Sequence, residues 1–93
     1  MALLLKLVFL TQGWEDYRFW QQQDDKVVAR INELLRDSMR SPFKGIGKPE
    51  PLRENWSGWW SRRINGEHRM VYRVVGQDTE QRLEIAQCRY HYK

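Results

Sequence analysis

The sequence predicts an α+β domain in which two N-terminal helices pack on one face of a mostly antiparallel twisted sheet, with element order β-α-α-(β)-β-β-β. Three observations carry this. An apolar run opens the chain, two stretches of helical periodicity follow it across a short polar turn, and the second half holds three strand-like runs. Ninety-three residues are enough for one domain with a modest core, spanning 1–93.

Residues 3–9, rich in Leu, Val and Phe, are too short for a stable helix and read as a strand buried on both faces. Thr11 is the expected cap of a helix running to about Gln22, with Glu15 and Asp16 in its first turn and Trp14, Tyr17 and Trp20 as core and interface filler. Asp24 or Asp25 caps a second helix, whose stripe of Val27, Ile31, Leu34 and Leu35 faces the core and whose end near Arg40 is set by Pro42. Together they form a helical hairpin.

Residues 41–55 are rich in Pro and Gly and too long for a tight turn. Within them, Lys48-Pro49-Glu50-Pro51-Leu52 holds a carboxylate between two prolines. Each proline fixes its own φ and drives the residue before it towards an extended shape, so Lys48 and Glu50 are expected to be stiff. Gly45 and Gly47 with Lys44 and Lys48 would let the backbone approach a phosphate, but the spacing is not that of a nucleotide-binding loop.

Strands are expected at about Trp56–Ile64, His68–Val75 and Arg82–Tyr90, with Asn65-Gly66 turning the first into the second. A two-residue loop would split the apolar side chains between faces. A three-residue loop, Asn65-Gly66-Glu67, gathers Trp60, Ile64, Met70, Tyr72 and Val74 on one face and sets Arg63 beside Arg69 on the other. Two like charges across a ladder are unfavourable, and an anion between them is the usual compensation.

The net charge of +4 is uneven: residues 1–42 hold six Lys/Arg and six Asp/Glu, residues 43–93 ten and six. A basic second half favours a polyanion or an acidic protein partner. A single cysteine, Cys88, makes no internal disulfide and fits a reducing, cytoplasmic setting. The opening apolar run is broken by Lys6, lacks a basic segment before it and a small-residue cleavage site after it, and is too short to span a bilayer, so no membrane association is expected. Cys88 and His91 have Cys-x-x-His spacing, but without a second such pair no metal site is expected, and no cofactor.

The chain has two histidines, and His91 lies between Tyr90 and Tyr92. With Glu50, Arg63 and Arg69 it completes a set able to cleave a phosphodiester without metal. A base takes the ribose 2′-OH proton, an acid protonates the departing 5′-oxygen, and cations steady the charge on phosphorus.

Trp14-Glu15-Asp16-Tyr17 with Trp20, Ile31-Asn32-Glu33-Leu34, Ser41-Pro42-Phe43, Gly47 to Leu52, Gly58 to Arg63, Glu67-His68-Arg69 with Val71-Tyr72, and Cys88-Arg89-Tyr90-His91-Tyr92 together span nearly the whole chain. In these residues the sequence resembles the YoeB toxins of bacterial toxin–antitoxin modules, within the RelE-like ribosome-dependent mRNA endonucleases. The resemblance implies a microbial-ribonuclease-like fold and cleavage of mRNA in the ribosomal decoding site by 2′-OH attack. It implies Glu50 as general base, His91 as general acid and Arg69 as stabiliser of the pentacovalent phosphate. Arg63, Arg53 and Tyr92 would assist at the substrate phosphates, with Lys48 and Lys44 holding RNA more loosely. It further implies a YefM-like antitoxin, a toxin homodimer, and contact with operator DNA only through the antitoxin complex. The chain departs from the family in its first few residues, in a longer loop at Gly76–Gln81, and in Lys93, which moves the terminal carboxylate one residue away from His91-Tyr92.

Two readings from other classes stand beside this one: a non-catalytic basic module that binds RNA or DNA, and a regulatory protein whose basic face only holds an acidic antitoxin segment.

Overall fold

The computed structural model describes residues 4–91. Strand β1 (Lys6–Phe9) leads into helix α1 (Thr11–Gln23) and helix α2 (Asp25–Arg40). A long loop then delivers the two-residue strand β2 (Glu50–Pro51), followed by β3 (Trp60–Arg63), β4 (Arg69–Val75) and β5 (Arg82–Gln87). The five strands form one sheet in the order β1-β5-β4-β3-β2. Only β1 and β5 pair in parallel; the other neighbours are antiparallel.

Asp24 is the cap of α2, accepting from the backbone N–H groups of Lys26 and Val27 at 3.0 and 3.3 Å. The stripe Val27, Ile31, Leu34 and Leu35 is buried against Ile64, Met70, Tyr72, Leu83 and Ile85 from the sheet, with Trp20 closing the core from α1. Trp20 also donates its indole N–H to the Cys88 carbonyl at 2.9 Å, so a core side chain ties α1 to the C-terminal segment. Helix α1 comes so close to β5 at Gly13 that a β-carbon there would overlap the Ile85 carbonyl.

Four sequence expectations change. Strand β1 is an edge strand with Lys6 and Leu7 exposed, not one buried on both faces, because β5 pairs it on one side only; Leu3 lies outside the described residues. Thr11 is the first helical residue rather than the cap: Leu10 occupies that position without a side-chain bond, and Glu15 and Asp16 fall in the second turn. The stretch before β3 is not strand, since a 3-10 turn at Glu54–Trp56, with Glu54 at φ 54° and Gly58 at φ 94°, keeps it from extending. Strand β5 stops at Gln87, where the Cys88 N–H leaves the ladder for the Asp16 carboxylate at 3.0 Å.

The β3–β4 pairing follows the three-residue loop, with Trp60 opposite Tyr72, Arg62 opposite Met70 and Arg63 opposite Arg69. Alternation then places Arg62 on the helix side, where it has no solvent-accessible surface. An unpaired charge there would be prohibitively costly. Its guanidinium is instead fully engaged: Nη1 donates to Asp37 Oδ2 at 2.6 Å and the Ile46 carbonyl at 3.1 Å, Nη2 to the carbonyls of Ser41 and Lys44 at 2.6 and 3.1 Å, and Nε to the Tyr72 hydroxyl at 3.1 Å. Tyr72 donates its own O–H to the Pro42 carbonyl at 2.6 Å. The loop after α2, without regular structure, is thus held through its carbonyls by one buried cation.

The Arg62 hydrogen bond holds the Asp37 carboxyl below its ordinary pKa of 3.8, outweighing the opposing effect of burial. Arg62→Leu removes the donors from three carbonyls and should lower unfolding free energy by about 3–5 kcal/mol in urea titration, the usual result of breaking a buried ion pair. A depressed carboxylate stabilises the fold above its unfolded pKa and loses that contribution as pH falls through its folded one. Asp37→Asn should therefore be less stable at neutral pH and show a shallower stability loss below about pH 4.

Candidate active site

The sheet face turned away from the helices carries the candidate residues. Glu50 on β2 lies opposite Ser61, which lies opposite Val71, which lies opposite Gln87, so one row crosses four strands. Arg63 and Arg69 form the next facing pair on the same side.

Glu50 is delivered by a turn rather than by proline stiffness alone. Gly47 adopts φ 79° and Lys48 φ 51°, so Lys48 is left-handed instead of the extended shape expected before a proline. A non-glycine residue in that region costs of order 1–3 kcal/mol. The turn is clamped from both sides. The Gly47 carbonyl accepts the Arg63 N–H at 2.7 Å, and a β-carbon on Gly47 would lie 2.8 Å from Leu34 Cδ2 and 3.2 Å from Arg62 Cβ. Beyond the turn, Leu52 donates to the Trp59 carbonyl at 2.9 Å and buries its side chain.

The two arginines of the pair are held differently. Arg69 is nearly buried and folds back to donate Nη1 to the carbonyls of Asn65 and His68 at 2.9 and 3.1 Å. Arg63 is exposed, and α2 braces its backbone: Arg30 donates to the Arg63 and Ile64 carbonyls, both at 3.3 Å. Among the described residues neither Arg63 nor Arg69 is bridged by a carboxylate. At the β5 side of the same face the opposite holds. Glu84 sits between Arg73 and Arg82 at 2.9 and 3.1 Å. Burial pushes its carboxyl up, but the two arginines outweigh burial and hold it below the usual range. Among the described residues, positive charge is therefore matched by a carboxylate at one side of the face and not around Arg63 and Arg69.

His91 stands at the end of this unmatched region. The Arg69 N–H donates to the Tyr90 carbonyl at 3.0 Å, which sets His91 next to the start of β4. His91 is exposed and lines a cavity of about 730 Å³ with Gln12, Asp16, Trp56 and Glu67. Glu50 and Arg53 line a neighbouring cavity of about 600 Å³, and Trp56 is a wall of both. The structure thus brings Glu50 near Arg53, sets Arg63 opposite Arg69, and ties Arg69 to the residue before His91, while Trp56 lines both the Glu50 and the His91 cavities. Lys48 and Lys44 are exposed and line neither cavity; the Lys44 carbonyl serves Arg62. Tyr92 and Lys93 lie outside the described residues.

Sequence reading missed Trp56, His68 and Asn65 as parts of the site. Asn65 Oδ1 accepts from the Glu67 and His68 N–H groups at 2.9 and 2.8 Å, so the Asn-Gly signal marks a side-chain-capped turn as well as a hairpin. Trp56 carries no sequence signal that separates it from the other four tryptophans. Among the described residues no group of three or more His, Cys, Asp or Glu side chains could hold a metal ion. Burial, with the Asp16 charge adding to it, pushes the Cys88 thiol up to about 12, and its Sγ donates to the Gly13 carbonyl at 3.6 Å.

Against known proteins, residues 9–92 match the family model of the YoeB-like toxin of bacterial type II toxin–antitoxin systems. The chain is 53% identical over 88 residues to Toxin YoeB of Escherichia coli (strain K12), covering 95% of this chain and 100% of that one. A YoeB/ParE toxin from Agrobacterium tumefaciens superimposes with a TM-score of 0.91 at 56% identity, covering 95% and 100% of the two chains. A Staphylococcus aureus YoeB, 48% identical with 95% and 98% covered, has been solved as a dimer (TM-score 0.83) and in a YoeB–YefM complex (TM-score 0.81).

Gly47→Ala should test the turn that delivers Glu50. It places a β-carbon against Leu34 and forces a strained φ, so the urea midpoint should fall by the equivalent of about 1–3 kcal/mol. An unchanged midpoint would mean the turn relaxes freely and does not fix Glu50.

Proposed function

The chain belongs to the YoeB-like toxin family of bacterial type II toxin–antitoxin systems, and on that footing we propose that it is a ribosome-dependent mRNA endonuclease. The observation that carries this reading is the facing pair Arg63 and Arg69, which among the described residues has no carboxylate partner, together with an exposed Glu50 and an exposed His91. A phosphodiester supplies the missing anion. Glu50 takes the proton from the ribose 2′-OH as its oxygen attacks phosphorus, and Arg69 and Arg63 stabilise the negative charge that builds on the non-bridging oxygens. His91 gives its proton to the departing 5′-oxygen, leaving a 2′,3′-cyclic phosphate on one fragment and a 5′-hydroxyl on the other. Attack and departure occur on opposite sides of phosphorus, and the placing of Glu50 and His91 in two cavities that share Trp56 as a wall suits a base and an acid that serve opposite sides. Arg53, beside Glu50, contacts a flanking phosphate, Tyr92 assists next to His91, and Lys48 and Lys44 hold the RNA more loosely.

The exposed Arg63 and the turned-back Arg69 favour a substrate presented in a fixed shape, which the decoding site of the ribosome supplies. The partners on this reading are the ribosome with its mRNA, a second copy of the chain, and a YefM-like antitoxin, as in the S. aureus dimer and complex. Operator DNA is reached only through the antitoxin complex, and the setting is cytoplasmic.

Primer extension on translated mRNA should show discrete stops with the unaltered protein and lose them in Glu50→Ala, Arg69→Ala and His91→Ala, with losses of about 10²–10⁴ in rate for the acid or the base. Full cleavage in all three would sink the reading. A protein that binds RNA yet leaves its ends unchanged would instead be a non-catalytic basic module.

A further inference from the structure

The reaction outlined above uses one of the two histidines. The other, His68, is buried immediately before β4, with its ring edge-on to Trp20 at a centroid distance of 4.8 Å. Its Nδ1 accepts the backbone N–H of Tyr90 at 2.7 Å. A ring nitrogen that accepts carries no proton, so His68 is the neutral tautomer with its hydrogen on Nε2. That nitrogen faces Glu67 Oε1 at 3.7 Å, beyond hydrogen-bond range.

The residue receiving this bond is strained. Tyr90 has φ 65°, the left-handed region that a bulky side chain leaves unless it is held. It is gripped on both sides by two consecutive residues, His68 just before β4 and Arg69 at its first position. His68 takes its N–H, and the Arg69 N–H donates to its carbonyl at 3.0 Å. Its ring is stacked as well, with the Arg89 guanidinium 4.5 Å from the Tyr90 centroid and 3.5 Å from that of Phe19. Trp20 and the Asp16 carboxylate anchor Cys88 just upstream. The direction in which the chain leaves Tyr90, and with it the place of His91, depends on a left-handed residue whose N–H is bonded to His68.

We propose that His68 is a positioning residue: its unprotonated Nδ1 holds Tyr90 left-handed and thereby aims the His91 acid at the leaving oxygen. The catalytic part of this rests on the endonuclease reading; the conformational part does not. A histidine that served only to fill the core would be replaced equally well or badly by any side chain of similar size. The positioning role is specific to one atom.

Asparagine places its amide oxygen where Nδ1 sits, whereas glutamine places it near Nε2. His68→Asn should therefore retain cleavage of ribosome-bound mRNA, and His68→Gln should lose about 10²-fold in kcat with KM unchanged, the scale of a misplaced catalytic group. Equal losses in the two variants, or a change confined to KM, would overturn the proposal. Should a variant fail to fold, the unaltered protein decides by nuclear magnetic resonance. The account expects a slowly exchanging Tyr90 amide and a His68 ring protonated on Nε2; a rapidly exchanging amide, or a proton on Nδ1, would overturn it. These readings need no activity, so protein that holds Tyr90 but cuts no RNA would count against the endonuclease reading alone.

Discussion

The arrangement of the molecule depends on the buried guanidinium of Arg62. A cation without solvent contact is tolerated only if every donor is used and its charge is opposed, and here both conditions are met by one carboxylate, three carbonyls and a hydroxyl. Asp37 comes from the last turns of α2, Tyr72 from the sheet, and the carbonyls from residues 41, 44 and 46. One charge therefore joins the helical layer, the sheet and an irregular loop. The same loop, fixed in this way, brings Gly47 down onto Leu34 and the Arg62 side chain and hands its carbonyl to Arg63. Three residues later the chain reaches Glu50. Alternation along β3 puts Arg62 inward and Arg63 outward, so adjacent residues serve the core and the candidate site.

The other end of the site is built by polar contacts instead of by a buried charge. Asp16 takes the Cys88 N–H out of the ladder, Trp20 takes the Cys88 carbonyl, and His68 with Arg69 holds Tyr90 in a left-handed turn. Each of these groups comes from α1, from β4 or from His68 immediately before it, and both elements are fixed by the core. A short C-terminal segment is thereby given a direction without secondary structure of its own. Two separate devices thus deliver Glu50 and His91 to a site whose facing arginines, among the described residues, have no carboxylate partner.

Much of this was legible in the residues. Asn65-Gly66, tested against which apolar side chains must share a face, led to the three-residue loop and to Arg63 beside Arg69, as the β3–β4 register has it. The prolines around Glu50 marked a stretch with no obvious structural purpose, and the stripe on α2 identified the helical share of the core. What escaped was set by tertiary context. The chosen register already put Arg62 on the apolar face, but an arginine among apolar residues announces neither its burial nor its partners. Lys48 escapes the extended shape that Pro49 favours because Gly47 is clamped between Leu34 and Arg63. Asp16 looked like a charge for the helix dipole, and only the return of the chain at Cys88 gives it a backbone N–H to bind. A carboxylate does sit between two neighbouring arginines elsewhere on the face, at Glu84 between Arg73 and Arg82, a pairing the sequence reading did not foresee.

The central claim is that a ribose 2′-OH, relieved of its proton on the Glu50 side, attacks the phosphate held at Arg63 and Arg69. The most direct measurement is cleavage of mRNA in a reconstituted ribosome complex, with a single 2′-deoxynucleotide at the position of an established cut. The account predicts that cleavage at that bond disappears while the protein still associates with the complex. Cleavage of the deoxy-substituted bond at the rate of its all-ribose counterpart would contradict it.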